Sequence, residues 1–255
     1  LGVVWLLCWV LGAQFVSHTP IASTSAAGLV VDEIGALRAN IEDPATFAKE
    51  ISDDRFRHTP RGQLLTSLRG KDVILAFVEG YGKGAVQGSS FSPGVNAVLA
   101  NGTRRLHAAG FSSRSAFLTS PTFGGISWLA HSSMHAGLWV NTQRRYDQLV
   151  KTNRFTLSGA FKRAGWRTVD VVPSNDRDWP EGSSFYHFDK VYDRRNVGYQ
   201  GPPFAYASMP DQYALAALQR LELARHHDRP IFAQVDLVSS HTPWTDIPRL
   251  IDWRR

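Results

Sequence analysis

Apolar and polar positions along this chain alternate between two periods. Four runs read as strands: Lys71–Val78, a short Ser115–Leu118, Trp166–Val172 stopped by Pro173, and Pro230–Val238. The first contains the solid apolar run Val73-Ile74-Leu75-Ala76-Phe77-Val78, closed by Glu79 and then Gly80-Tyr81-Gly82. A branched apolar run ended by glycines predicts a strand buried on both faces. Helical patterns lie between the strands. They cover Val95–Ala109 with Gly110 as a stop, Phe123–Leu138 opened by Pro121-Thr122, parts of Tyr146–Ala164, and Asp211–Arg225, whose Leu215, Leu218, Leu221 and Leu223 supply an apolar face. Residues 174–208 are rich in aromatics, Gly and Pro and are expected to form a long loop. Strands alternating with helices predict an α/β fold, a three-layer α/β/α sandwich around a mainly parallel sheet.

The beginning of the chain reads differently. Leu1–Val16 carries no charge and two Trp, slightly short of a full membrane span. It is expected to be a truncated transmembrane helix, with a signal-peptide core or a buried helix as alternatives, since Ala22–Ala27 is rich in small residues. The first residue is Leu rather than Met, which reads as a piece of a longer protein. Residues 17–28 are a linker by composition, and 29–68 carry two or three short helical patterns. The expected organisation is therefore a membrane segment over 1–16, a connector over 17–69 and an α/β domain over 70–255.

Composition narrows the function classes. A chain of 255 residues, 43% hydrophobic, can bury the core of one α/β domain with a preceding segment. Cys8 is its single cysteine, so disulfides and cysteine zinc sites within the chain are excluded. The net charge is +6, but the basic residues come in scattered pairs with no Lys/Arg block or nucleic-acid motif, so no nucleic-acid partner is expected. The charge is consistent with a solvated surface, and equally with attraction to anionic lipid or an anionic substrate.

Three places could carry chemistry. Glu79 ends the first strand, and ligands of parallel α/β sheets sit at the carboxyl ends of strands. A carboxylate there can hold a cation or simply face water. Thr119-Ser120-Pro121-Thr122 follows the second strand, with Gly124-Gly125 next. Thr122 is a helix N-cap in one reading and an activated nucleophile in the other. His241, in Ser239-Ser240-His241-Thr242-Pro243, follows the last strand and could donate to an oxyanion or protonate a leaving group. Asp236 lies within that strand, either as a buried supporting acid or on an exposed face. His131 and His135 share a helix face; their spacing permits a metal, but Ser132 stands where the zinc-protease motif has Glu, so packing carries most of the weight. Gly80, Gly82 and Gly84 form only a partial dinucleotide-loop pattern.

In this order, a strand-end acid, a hydroxyl turn and a strand-end His resemble the alkaline phosphatase superfamily in its sulfatase-like branch, nearest to membrane-anchored lipoteichoic acid synthases and phosphoethanolamine transferases. The segments are Asp72–Glu79, Ser120–His131 and Phe232–Trp244, with an aromatic loop around Trp179, Phe185, Tyr186 and Tyr192. The resemblance implies a metal-dependent hydrolase or transferase of phosphate or sulfate esters, anchored in the cell membrane with its catalytic domain outside the cytoplasm. It implies a divalent ion (Mn, Mg, Zn or Ca) on Glu79 and Thr122, Thr122 as nucleophile, His241 on the substrate or leaving group, and Trp179 and Arg177 on the substrate side. The substrate would be an ester linked to a lipid or glycan. Thr119-Ser120-Pro121-Thr122-Phe123 departs from the C/S-x-P-x-R motif, so a formylglycine mechanism is not expected. The Arg that the family places after the loop Trp is missing or moved to Arg177. The family's later Asp-His metal pair has no match after His241. The rival readings are a catalytically inactive relative that binds an anionic envelope glycolipid, and a nucleotide-binding domain built on the Gly80–Gly84 loop.

Overall fold

The computed structural model describes residues 41–253 except 205, 244 and 245, together with 4, 7, 8, 10, 11, 14–16, 19 and 20. The chain divides into two units, Leu1–Asp53 and Asp54–Arg255. In the first, residues 4, 7, 8 and 10 are helical, β1 (Gln14–Val16) pairs antiparallel with β2 (Thr19–Pro20), and a helix α1 spans 41–52. The expected membrane segment therefore does not continue as helix through Val16. Phe15 and Val16 favour extended backbone, and Pro20 closes the pair. Half of the stretch 1–16 lies outside the described residues. Among those described, no helix is long and apolar enough to cross a membrane.

The second unit holds a four-stranded parallel sheet: β3 (Val73–Val78), β4 (Arg167–Val171), β5 (Lys190–Tyr192) and β6 (Ile231–Leu237), in the order β3-β6-β4-β5. Helices α2 (Lys83–Val86) and α3 (Ser92–Ala108) follow β3. Next come α4 (Ser127–Ala136), α5 (Gln143–Leu149), α6 (Leu157–Ala164), a short α7 (Glu181–Ser184) and α8 (Asp211–Leu218). Three of the four expected strands are present within a residue or two. Ser115–Leu118 forms no strand, while β5 arises inside the expected long loop. β5 is only three residues long and its sequence, Lys-Val-Tyr, carries no period to read.

β6 is the central strand and is buried along nearly its whole length. Its two faces differ. Val169, Val171, Ile231, Ala233 and Val235 form an apolar face that packs against Ala214, Ala217 and Leu218 of α8. The opposite face carries Thr168, Asp170, Phe232, Gln234 and Asp236, and is covered by α4 and α6. There Phe161 stacks on Phe232 at 4.1 Å, and His135 Nε2 is 2.5 Å from Gln234 Oε1. β3, expected to be buried on both faces, is an edge strand among the described residues. Ile74 and Val78 are 50% and 45% exposed.

Opposite the strand ends expected to carry chemistry, one ion pair fixes the amino end of β4. Arg167 donates two 2.6 Å hydrogen bonds to the buried Glu222, and Tyr192 OH donates a third at 2.6 Å. Glu222 sits in a π-helical turn, Gln219–Leu223, that ends the helix expected to run to Arg225. Burial alone would raise the Glu222 pKa, but the bonds from Arg167 and Tyr192 outweigh it and hold the carboxyl below its ordinary value. A group whose pKa is lowered on folding adds stability above its unfolded pKa and loses it as pH falls through the folded one. Glu222→Gln is expected to cost about 3 kcal/mol at neutral pH and to flatten the loss of stability on acidification below the usual carboxylate range. Urea denaturation of both proteins between acid and neutral pH measures this.

Candidate active site

The carboxyl ends of β3 and β6 come together because Glu79 N donates to Leu237 O at 2.8 Å and Ser240 Oγ donates to Glu79 O at 2.5 Å. Asp211 Oδ1, at the start of α8, accepts from Val238 N at 2.7 Å and Ser239 N at 2.9 Å, which fixes the turn after β6. The approach is close enough that Gly80, at φ +69, has no room for a side chain; a Cβ there would lie 2.6 Å from Ser240 O. His241 is therefore held beside the end of β3. Its ring stacks on Tyr206 at 3.9 Å, and Nδ1 donates to Thr242 O at 2.5 Å.

The sheet edge opens into a cavity of about 430 Å³ lined by Glu79, Ser127, His131, Trp179, Tyr206 and Asp236, among others. No Lys or Arg lines it among the described residues. Helix α4 presents two side chains to Glu79. His131 Nε2 donates to Glu79 Oε1 at 3.2 Å, and the ring stacks on Phe77 at 3.9 Å while its Nδ1 lies 3.9 Å from Asp236 Oδ1. Ser127, the first residue of α4, lines the same cavity and helps to lower the Glu79 pKa. Burial would raise the Glu79 pKa, but the bond from His131, the Ser127 side chain and the charges of His131 and His241 bring it below its ordinary value. Burial would lower His131, and Glu79 and Asp236 reverse this and raise it.

Behind this group the polar network continues into the core. Gln234 Nε2 donates to Asp170 Oδ2 at 3.4 Å, and Ser158 Oγ lies 3.2 Å from His135 Nδ1 and also bonds Tyr186 O. Burial pushes Asp236 up to about 6, with Glu79 adding to the rise and His131 opposing it. Burial raises Asp170 further, helped by the charge of Asp236. It drives His135 down to about 4, so that ring is neutral. One oxygen of each aspartate, Asp170 Oδ1 and Asp236 Oδ1, is buried without a hydrogen-bond partner among the described residues.

Of the residues singled out from the sequence, Glu79 and Trp179 line the cavity and His241 stands next to it. Thr122 and Arg177 do not line it. The hydroxyl of Thr122 is 3.4 Å from Ser120 Oγ, and Arg177 is exposed with Nε 3.2 Å from Asp176. The reason is local. α4 starts at Ser127 and not after Pro121-Thr122, because Gly124 (φ +75) and Ile126 (φ +52) take left-handed backbone. That conformation is costly for a β-branched residue, of order 1–3 kcal/mol, and such strain concentrates at functional sites. The hydroxyl at the helix start is thus Ser127, which motif reading passed over. The Gly124-Gly125 pair was the available signal, since two glycines seldom sit inside a helix. His131 and His135, weighed as a metal pair, each take other partners.

No protein-family model matches the sequence, and no curated protein sequence does. Among solved structures, the chain is similar to the lipoteichoic acid synthase LtaP from Listeria monocytogenes, at 20% identity and a TM-score of 0.51, over 73% of this chain and 45% of that one. The likeness shows that the two chains share a fold. A protein of the alkaline phosphatase superfamily from Vibrio parahaemolyticus is similar over 72% of this chain and 44% of its own, at 17% identity and a TM-score of 0.42. The chain spans less than half the length of either protein.

Glu79 and Ser127 offer two oxygen donors to the cavity, the kind that hard divalent cations take. Among the described residues no group of three His, Cys, Asp or Glu is arranged to hold a metal, so these two donors supply part of a shell only. Gly80→Ala is expected to destabilise the protein by about 1–2 kcal/mol from the left-handed backbone alone, and by more from the collision with Ser240 O. It should also weaken any ligand binding at the cavity. Thermal denaturation and cavity-ligand titration of this variant check both effects.

Proposed function

We propose that the protein is a hydrolase or transferase of phosphate or sulfate esters that uses Ser127 as its nucleophile and Glu79 as a cation ligand. The observation that carries the reading is the placement of Ser127, at the start of α4, and the strand-end Glu79 in the lining of one cavity, in a fold shared with LtaP. A helix N-terminus favours developing negative charge. Ser127 Oγ gives its proton to solvent water and attacks phosphorus or sulfur; the bond to the ester oxygen breaks, that oxygen takes a proton from His241 at the rim, and a covalent serine ester remains. The oxygen of water or of an acceptor hydroxyl then attacks the ester, giving its proton back to His241; the bond to Ser127 Oγ breaks, and Oγ takes a proton from solvent, which restores the serine.

An oxyanion entering a cavity with two carboxylates and no Lys or Arg among its described lining meets unfavourable charge. A bound divalent cation would offset this and lower the pKa of the serine hydroxyl. This supports a requirement for Mn, Mg, Zn or Ca. Trp179 and Tyr206 give the cavity wall apolar faces for the alcohol part of the ester, which suits a lipid- or glycan-linked substrate. Membrane attachment and a catalytic domain outside the cytoplasm belong to the same proposal and rest on the uncharged Leu1–Val16 stretch and on the resemblance.

A second reading, an inactive relative that binds an anionic envelope glycolipid, is favoured by the incomplete donor set at Glu79. Turnover separates the two. Ser127→Ala is expected to lower kcat by roughly 10⁴-fold or more, whereas Thr122→Ala leaves it within a few-fold. If Thr122→Ala abolishes activity and Ser127→Ala does not, the nucleophile is Thr122. Treatment with a chelator is expected to remove activity, and adding back Mg, Mn or Zn to restore it; activity that survives chelation counts against the cation. A panel of phosphate and sulfate monoesters and diesters provides the assay.

A further inference from the structure

The second large cavity has the opposite charge. It is a cleft of about 350 Å³ lined by Arg57, Arg154, Lys162, Arg163 and His187, with Phe155 in its wall, and it shares no residue with the acid-lined cavity. It lies toward the amino ends of the strands, where Thr168 Oγ1 donates to His187 O at 3.1 Å. Two of its four permanent cations have acidic partners. Lys162 Nζ is 2.9 Å from Asp189 Oδ1, and Arg154 Nε is 3.9 Å from Asp54 Oδ2. The other two have none among the described residues. Arg163 sits over the Phe155 ring, with Cζ 4.0 Å from its centroid, and donates to Arg57 O at 2.5 Å, so its guanidinium is held in place without being neutralised. The Arg57 side chain is half-buried and takes no acidic partner among the described residues. His187 has a left-handed backbone, φ +63, and its ring lies against Gly159, where a Cβ would come within 3.1 Å of it. Burial lowers the His187 pKa, and the charges of Lys162 and Arg163 lower it further, as expected in a positive field.

We propose that this cleft is a binding site for a doubly charged tetrahedral oxyanion, a phosphate group, held by Arg57 and Arg163 with Asn153 and His187 at its edge. Two unneutralised guanidinium groups match two negative charges. Their planar forks suit phosphate oxygens better than they suit a single carboxylate. The held geometry of Arg163 lowers the entropy lost when the anion binds. The phosphate is either free or the terminal monoester of a lipid headgroup at a membrane surface; both offer a doubly charged group with unesterified oxygens.

Calorimetric titration with inorganic phosphate tests the first source. Co-sedimentation with vesicles of phosphatidic acid in phosphatidylcholine, against phosphatidylcholine alone, tests the second. Phosphate or anionic-vesicle binding is expected to weaken at least about tenfold in Arg57→Ala and to persist in Ser127→Ala and in the presence of chelator, which separates this cleft from the cavity at Glu79. Arg57→Lys should recover part of it. Phosphate binding alone assigns the site to a soluble ester or ion, and vesicle binding alone assigns it to a headgroup. Binding of neither probe, or binding that Arg57→Ala leaves unchanged while the variant melts like the parent, overturns the proposal.

Discussion

Burying carboxylates in a sheet face is costly unless something meets their charge, and in this protein His131 does so. It lies between Glu79 at the end of β3 and Asp236 in β6, flat against Phe77. An unpaired buried carboxylate costs several kcal/mol, so the position of His131 constrains where α4 can sit. That in turn sets Ser127 one helical turn earlier, beside the same Glu79. The interaction that makes the polar face tolerable is thus also the one that brings a hydroxyl and a carboxylate together. Asp236 Oδ1 has this charge contact with His131 at 3.9 Å but no hydrogen bond among the described residues.

The two faces of β6 divide the work. The apolar face against α8 is conventional packing of Val, Ile, Ala and Leu. The polar face carries Gln234, which links His135 to Asp170, and so ties α4 to the sheet through directed bonds rather than area alone. Directed bonds specify one register, where apolar contact tolerates sliding. The cavity at the strand ends inherits its geometry from that register. Gly80 and the Asp211 cap then fix the turn that carries His241.

Charge is separated along the sheet. The carboxyl ends hold an acid-lined cavity and the amino ends a basic cleft, although the chain's basic residues look scattered in sequence. An acid-lined cavity suits an ester anion only together with a cation, while the basic cleft suits an anion directly. The two sites therefore call for different partners even if both accept phosphate.

Much of this was legible in the sequence. The runs Val73–Val78, Trp166–Val172 and Pro230–Val238 are apolar enough to be strands in any context, and their alternation with helices fixed the α/β class. Glu79 and His241 follow from this, since strand ends of a parallel sheet share one edge. What the chain could not settle locally was where α4 begins. Thr122 and Ser127 both precede apolar helical positions, and only the left-handed backbone at Gly124 and Ile126, held by the packing of Leu129, His131 and His135 on the sheet, selects Ser127. β5 is too short to show a period, and β3 reads as fully buried because apolar content does not reveal how many neighbours a strand has. Sequence determined which segments could pair; the tertiary structure decided which hydroxyl faces the carboxylate, because that depends on a helix start set by contacts distant along the chain.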